Sequence, residues 1–244
     1  MTKKFLSILF ALALLTSGCE SAQQLLQGAS DVLTGSSTTP TSSEVSGGLK
    51  QALEVGISAG ANRLAKTDGY YGNSLVKILF PPEAQKVENT LRQMGLGSMV
   101  DKAVVSLNRA AEDAAKQAAP IFVSAIKQMT FNDAMNILLG SNDAATNYLN
   151  KATYSQLQSK FTPVIQNSLN KVNATTYWSE VVTRYNQIPL VEDVNPDLTA
   201  YVTQKALDGL FKMVAKEELQ IRENVSSRST DLLQKVFGYA DSKK

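Results

Sequence analysis

The chain has 244 residues, 43% of them hydrophobic and 19% charged, with one Cys, no His, 24 basic and 22 acidic side chains. Without His the commonest general base and transition-metal ligand is missing, so Ser-His-Asp and Cys-His machinery is excluded and no zinc, haem or other metal cofactor is expected. A formal charge of +2 is too small to direct the chain to nucleic acid.

Lys3 and Lys4 precede an uncharged, mostly apolar run from Phe5 to Leu15, and the small residues Ser17 and Gly18 follow it. That is the layout of a signal peptide, here residues 1–18. As a helix the run reaches only about 16 Å, against a bilayer core of about 30 Å, so it is too short to span. Thr16-Ser17-Gly18-Cys19 resembles the lipobox of bacterial lipoproteins, in which cleavage precedes a cysteine whose thiol takes a diacylglyceryl group. Thr16 departs from the Leu usual at its place, although Leu14 and Leu15 stand just before it. The alternative is an ordinary secreted protein with an idle thiol, which leaves unexplained why the only Cys stands at the end of the apolar run. Removing residues 1–18, which hold two Lys and no acid, leaves 22 basic against 22 acidic side chains. The mature chain would be neutral, and acyl chains would anchor it stably only if there are two or more of them. Glu20 follows the cysteine. In the lipoprotein sorting rule of gram-negative bacteria an Asp there favours the inner membrane, so the resemblance implies the outer membrane, periplasmic face.

Residues 19–43 are rich in Ser, Thr, Gln and Gly and form the expected tether, with Leu25, Leu26, Val32 and Leu33 as the only apolar pairs that would support a short helix in it. Residues 44–244 are the expected globular domain, all-α and bundle-like, because their apolar periodicity is helical nearly throughout. Leu49, Leu53, Ile57, Ala61 and Leu64 draw one stripe, with Gly56 and Gly60 on it for close approach of another backbone. Tyr70-Tyr71-Gly72 marks a turn, and Pro81-Pro82 opens a helix that Gly95 and Gly97 stop. A long helix with a kink at Pro120 is expected over 98–129. Thr130 and Asp133 form a capping box for a short helix ending near Gly140, and Ser141, Asn142 or Asp143 caps the next. Later helices are expected at 154–171, 174–187, 196–224 and 230–237. Asn195-Pro196 would open the third of these and Gly238 close the last.

The segment YVTQKALDGLFKMVAKEELQIREN at 201–224, with SSRSTDLLQKVFG after it, DGYYGN at 68–73, NRAAEDAA at 108–115 and LLGSNDAATNYL at 138–149, resembles the uncharacterised bacterial family catalogued as domain of unknown function 4197. The likeness covers about residues 46–238 and departs at Asn224-Val225-Ser226, where Pro and small residues are expected. It implies a helical secreted or lipoprotein domain and no activity.

Three S-x-x-K pairs occur, Ser74 with Lys77, Ser124 with Lys127 and Ser168 with Lys171, but the S-D-N and K-T-G partners of Ser-Lys enzymes are missing. Asp193-x-Asn195-x-Asp197 opens like a calcium loop, yet Leu198 and Gln204 occupy the places of its Gly and Glu, so it is expected to cap a helix. On the 196–224 helix, Asp208 with Lys212 and Glu218 with Arg222 are pairs four residues apart, expected mainly as solvated contacts. The alternative is a polar cluster of Lys205, Asp208, Glu217, Arg222 and Arg228, either a buried structural network or a ligand site. The aromatics Tyr70, Tyr71, Tyr148, Tyr177, Trp178 and Tyr201 either pack helix crossings or line a groove for peptide, glycan or lipid. Taken together, the expectation is a membrane-tethered, non-enzymatic module that meets the bilayer through acylated Cys19 and binds an envelope protein or lipid. The alternatives are a carrier with an apolar ligand held against the Gly-bearing stripe, and a His-free hydrolase using carboxylates.

Overall fold

Helix α1 (Ser42–Leu64) begins where the sequence supplies a capping box: the Glu44 amide donates to Thr41 Oγ1, and the Thr41 amide donates to Glu44 Oε2 at 2.7 Å. Ser42 and Ser43, given to the tether on composition, therefore form its first turn. The computed structural model describes residues 39–187, 193–195 and 197–243; the expected signal peptide, Cys19 and residues 20–38 of the expected tether lie outside the described residues. After α1 an irregular segment, 65–81, leads through a 3-10 turn (Pro82–Ala84) into α2 (Gln85–Gln93). Then come α3 (Gly97–Ala115), α4 (Ala118–Gln128), α5 (Phe131–Leu138), α6 (Ala144–Asn170) and α7 (Ala174–Asn186). The long α8 (Leu198–Glu223), a 3-10 turn (Val225–Ser227) and α9 (Asp231–Asp241) complete the order. Thr41–Lys244 is one all-α unit with no strand among the described residues.

Helix α8 is the centre of the packing. Val202, Ala206, Leu207, Leu210, Phe211, Val214 and Ile221 are all buried along it, and it packs against α6, α1 and α3. An apolar surface this broad has to be covered from several sides. On α1 the stripe Leu49, Leu53, Ile57, Ala61 and Leu64 is buried as the spacing requires, against α8, α4, α5 and α9. A Cβ on Gly56 would lie 2.9 Å from Ile221 Cδ1, and one on Gly60 would lie 3.0 Å from Glu217 Cγ. The two glycines let α1 approach α8 closely, which is the packing use expected of them.

Three helix boundaries differ from expectation. The helix expected over 98–129 is broken between α3 and α4 at Lys116 and Gln117 rather than kinked at Pro120. The Pro120 ring would clash with the carbonyl of Lys116, four residues back; the break places Pro120 in the first turn of α4, where a missing amide is tolerated. Conversely, the helix start within 140–149 and the helix expected at 154–171 are one helix, α6, which follows the expected loop at 140–143 and runs past Pro163 with that residue exposed and Phe161 and Ile165 buried on the inner face. The last helix continues past Gly238 to Asp241. Gly238 is exposed and a Cβ there would meet nothing within 4 Å. Gly238→Ala is therefore expected to stabilise the domain by up to about 1 kcal/mol, read as a higher urea midpoint at unchanged slope.

The chain's two ends of the domain are joined by Lys235 Nζ, 2.8 Å from Glu44 Oε1. That bond, with the amide and hydroxyl of Thr41 next, draws the Glu44 carboxyl down to about 2 from 4.5. A depressed folded pKa stabilises the fold above pH 4.5 and withdraws that contribution as pH falls toward 2. Melting curves of Glu44→Gln are expected to lie below wild type at pH 6 and to converge with it near pH 2; a gap that persists unchanged at pH 2 would mean that the carboxylate is not the cause.

Candidate functional site

The five residues of the alternative polar cluster, Lys205, Asp208, Glu217, Arg222 and Arg228, are not brought together. Lys205 and Asp208 are exposed on α8, with Lys205 Nζ 5.9 Å from the Tyr201 ring centre. Glu217 turns toward α1 and holds Arg63 Nη1 at 2.8 Å. Only Arg222 and Arg228 are buried, and they meet at the C-terminal end of α8, where Arg228 Nη2 donates to the Arg222 carbonyl at 2.8 Å.

Glu218, expected as half of a solvated pair, is the anchor of this region, with 2% of its side chain exposed. Its Oε1 accepts from the Ala145 amide at 2.9 Å, and its Oε2 accepts from the Thr146 amide and hydroxyl, both at 2.8 Å. It thereby caps the N-terminus of α6, a task expected of Ser141, Asn142 or Asp143; Asp143 occupies the cap position without a side-chain bond to the helix amides. Arg222 lies 2.8 Å from Glu218 Oε1 and sends Nη2 to the Ile137 carbonyl at 2.7 Å and Nη1 to that of Leu138 at 3.3 Å, at the C-terminal end of α5. The anion thus faces the positive end of one helix dipole and the cation the negative end of another, with the α5–α6 turn between them. Arg228 repeats the device at the end of α8, donating to the carbonyls of Ile221 and Arg222 and reaching Asp241 Oδ2 at 2.8 Å.

A second clamp forms where α3 meets the irregular segment. Glu112, buried on α3, accepts from the Tyr70 and Tyr71 amides at 3.1 and 3.2 Å through Oε1. Its Oε2 holds Arg109 Nη1 at 2.6 Å, and Arg109 Nη2 holds Asp68 at 2.7 Å. One turn earlier, the fully buried Asn108 takes the Ile78 amide and gives to the Ile78 carbonyl, both at 2.8 Å. The Tyr70 ring lies against Gly209 of α8, where a Cβ would stand 2.9 Å from its Cε1, and its hydroxyl donates to the Ala206 carbonyl at 2.7 Å. Burial, and then the charge of Glu112, push the Tyr70 phenol above its ordinary pKa, which keeps it protonated as a donor.

The remaining aromatics are spread out. Tyr201 donates to the Leu79 carbonyl, and buried Trp178 stacks on Phe80 at 6.0 Å and donates to the Asn195 carbonyl, so both hold the irregular segment or the start of α8. Tyr71 lies under Lys77 Nζ at 4.0 Å, Tyr148 is half-buried and Tyr177 is exposed. Asp197, not Asn195, caps α8 by accepting from the Ala200 amide at 2.9 Å, while Asn195 Oδ1 accepts from the Asp197 amide. Ser168 donates to Asp113 and Ser124 accepts from Gln128. No group of three metal-ligating side chains occurs among the described residues, and none of the described helices is long and apolar enough to cross a membrane.

Two clefts of about 340 Å³ open on the surface. The first runs along Gly56 and Ala59 of α1 and Glu217 and Ile221 of α8, with Arg63 and Lys216 at its rim. The second lies between α6 and the first turns of α8, lined by Tyr154, Gln158, Thr162, Asp197, Thr203 and Gln204 among others. Thr203 is 2% exposed and its hydroxyl has no hydrogen-bond partner. An orphaned buried hydroxyl costs about 1–3 kcal/mol. Thr153 of α6, equally buried, avoids that by donating to the Leu149 carbonyl one turn back at 2.6 Å, and the partly exposed Thr162 likewise donates to that of Gln158 at 2.9 Å. Nothing in the sequence distinguishes Thr203 from these; its isolation follows from packing.

The helices and clamps define an all-α domain whose buried charges are spent on holding helix ends and one irregular segment. The chain belongs to the family described as "Protein of unknown function (DUF4197)", whose model matches residues 39–238. No curated protein and no solved structure is significantly similar to it. The segments that carry the family resemblance are the ones the clamps join: DGYYGN to NRAAEDAA through Glu112, and LLGSNDAATNYL to the end of α8 through Glu218 and Arg222.

Proposed function

We propose that the protein is a lipid-anchored component of the bacterial cell envelope. In a gram-negative host, acylated Cys19 holds it at the outer membrane, on the periplasmic face, and its helical domain is a non-enzymatic binding or structural module that contacts an envelope protein or lipid. The observation that carries the reading is the place of the only cysteine, directly behind Ser17-Gly18 at the end of a charged-headed apolar run too short to span a bilayer. Further support comes from the buried carboxylates: Glu112 and Glu218 have both oxygens engaged by main-chain amides, a hydroxyl or guanidinium groups, an arrangement suited to holding a surface rigid rather than to moving protons. The cleft beside Gly56 is open to solvent and rimmed by Arg63 and Lys216, which suits a surface contact better than an enclosed apolar cargo.

Metabolic labelling with a fatty acid tests the anchor. Wild type is expected to take the label and to sediment with membranes, whereas Cys19→Ser is expected to stay unlabelled and to lose the membrane fraction. Label retained by Cys19→Ser would overturn the proposal.

A further inference from the structure

We infer that the cleft between α1 and α8 docks an acidic amphipathic segment of a partner protein, with aliphatic side chains over Val55 and Ile221 and a carboxylate against Lys216. The inference rests on the reading of the domain as a binding module. Uncompensated charge and uncovered apolar surface meet in this cleft. Its charged side chains are Arg63, Lys216 and Glu217, two cations against one anion. Glu217 holds Arg63 Nη1 at 2.8 Å, so that pair is already matched, although 54% of the Arg63 side chain still faces solvent. Lys216, the next residue on α8, is exposed and has no ion pair among the described residues. Beside these charges the lining is apolar, with Val55, Ala59 and Ile221. Val55 is 62% exposed on a helix whose other large aliphatic residues, Val45, Leu49, Leu53, Ile57 and Leu64, are all buried. Covering it removes apolar surface from water.

The lining selects the class of occupant by charge complementarity and by shape. A free inorganic anion would meet Lys216 and leave Val55 in water. An acyl chain would cover Val55 but needs an enclosed apolar channel, whereas this cleft is open to solvent and carries Gln220, Ser227 and Ser229 along it. A polypeptide segment meets both demands, because acidic and aliphatic side chains three or four positions apart share one face of a helix. A groove between two helices is also a recurrent seat for such a segment. A volume of about 340 Å³ stands at the small end of the range for ligand clefts, so it receives anchoring side chains while the rest of the segment lies across α1 and α8. Apolar contacts at the centre with charges at the rim are the usual anatomy of a protein interface, and the rim charge selects the sign of the partner. Fatty-acid labelling reports on the anchor alone: its failure would leave this inference standing, and failure of peptide binding would leave the anchor standing.

The test is selection from a phage-displayed library of random short peptides on the full chain, purified in detergent, followed by titration of the enriched peptides in synthetic form by fluorescence anisotropy. Enriched peptides are expected to combine Asp or Glu with Leu, Ile or Val. Lys216→Glu and Val55→Asp change exposed side chains and are expected to melt with wild type, while each weakens peptide binding by about tenfold. Lys216→Gln, which removes the charge without reversing it, is expected to weaken binding by about threefold. Lys151→Glu, an exposed charge reversal on α6 outside the lining, is expected to leave affinity unchanged. Enrichment of no peptide, or of basic or uncharged ones, would overturn the inference. So would wild-type affinity in Lys216→Glu, or an equal loss in Lys151→Glu. Displacement of the peptides by glycerol phosphate would make a lipid headgroup the occupant, and sedimentation as a dimer that Val55→Asp dissociates would make it a second copy of the chain; either result would overturn it too.

Discussion

Replacing Glu218 by Gln is expected to destabilise the domain by about 3–5 kcal/mol, the range for breaking one partner out of a buried ion pair. The loss is large because the carboxylate has three obligations besides Arg222: the amides of Ala145 and Thr146 and the Thr146 hydroxyl. A carboxamide turns one acceptor into a donor, which must then face those donors, and it leaves the Arg222 guanidinium, 3% exposed, without its counter-charge. Against a total stability of about 5–15 kcal/mol this is a large fraction, and for a domain of this size it lowers Tm by roughly 6–20 °C. Urea unfolding followed by circular dichroism measures it. The companion is Glu218→Met with Arg222→Met. Removing both charges is expected to cost clearly less than the sum of the single changes, because each single change leaves a buried ion without its partner. A loss below about 1 kcal/mol for Glu218→Gln would show that water or a neighbour replaces the clamp.

The helices were legible in the sequence because burial is periodic. The stripe through Leu49, Leu53, Ile57 and Leu64, the capping box at Thr130 and Asp133, and the turn at Tyr70-Tyr71-Gly72 all express local rules, and each stands where its rule puts it. The charged clamps were not legible by the same means, since a pair four residues apart is by default a solvated pair. The signal that marks the clamps is phase. Phe211, Val214, Glu218, Ile221 and Arg222 fall on one buried face of α8, and Val104, Asn108, Ala111, Glu112 and Ala115 on one of α3. A charge in phase with an apolar stripe has to enter the core with its neighbours and must find partners there. The sequence does not say which partners, because Ala145, Ile137 and Tyr70 are 73, 85 and 42 positions from the side chains that hold them.

Glu112→Ala is expected to cost about 3 kcal/mol and to loosen one segment before the rest. The change strips a charged acceptor from the Tyr70 and Tyr71 amides and leaves Arg109 with Asp68 alone. Hydrogen bonds to a charged group contribute about 1.5–3 kcal/mol each; Tyr71 is partly exposed and water replaces some of its loss, whereas the Tyr70 amide is buried and stays unpaired. Because Tyr70 also pins α8 through its hydroxyl and its contact with Gly209, the disturbance reaches the central helix. Native-state hydrogen exchange separates the two levels. The amides of Tyr70 and Tyr71 are expected to lose more protection than those in the middle of α6, which report only the global loss. Glu112→Gln keeps its oxygen as acceptor for both amides but loses the charge and the acceptor facing Arg109, against which it sets an NH2 donor, so it is expected to cost less than Ala without being neutral. If Gln and Ala prove equal, the charge on Arg109 rather than the amide bonds holds the segment; if neither exceeds about 1 kcal/mol, residues 68–73 are held by the packing of the Tyr70 ring and the clamp is incidental.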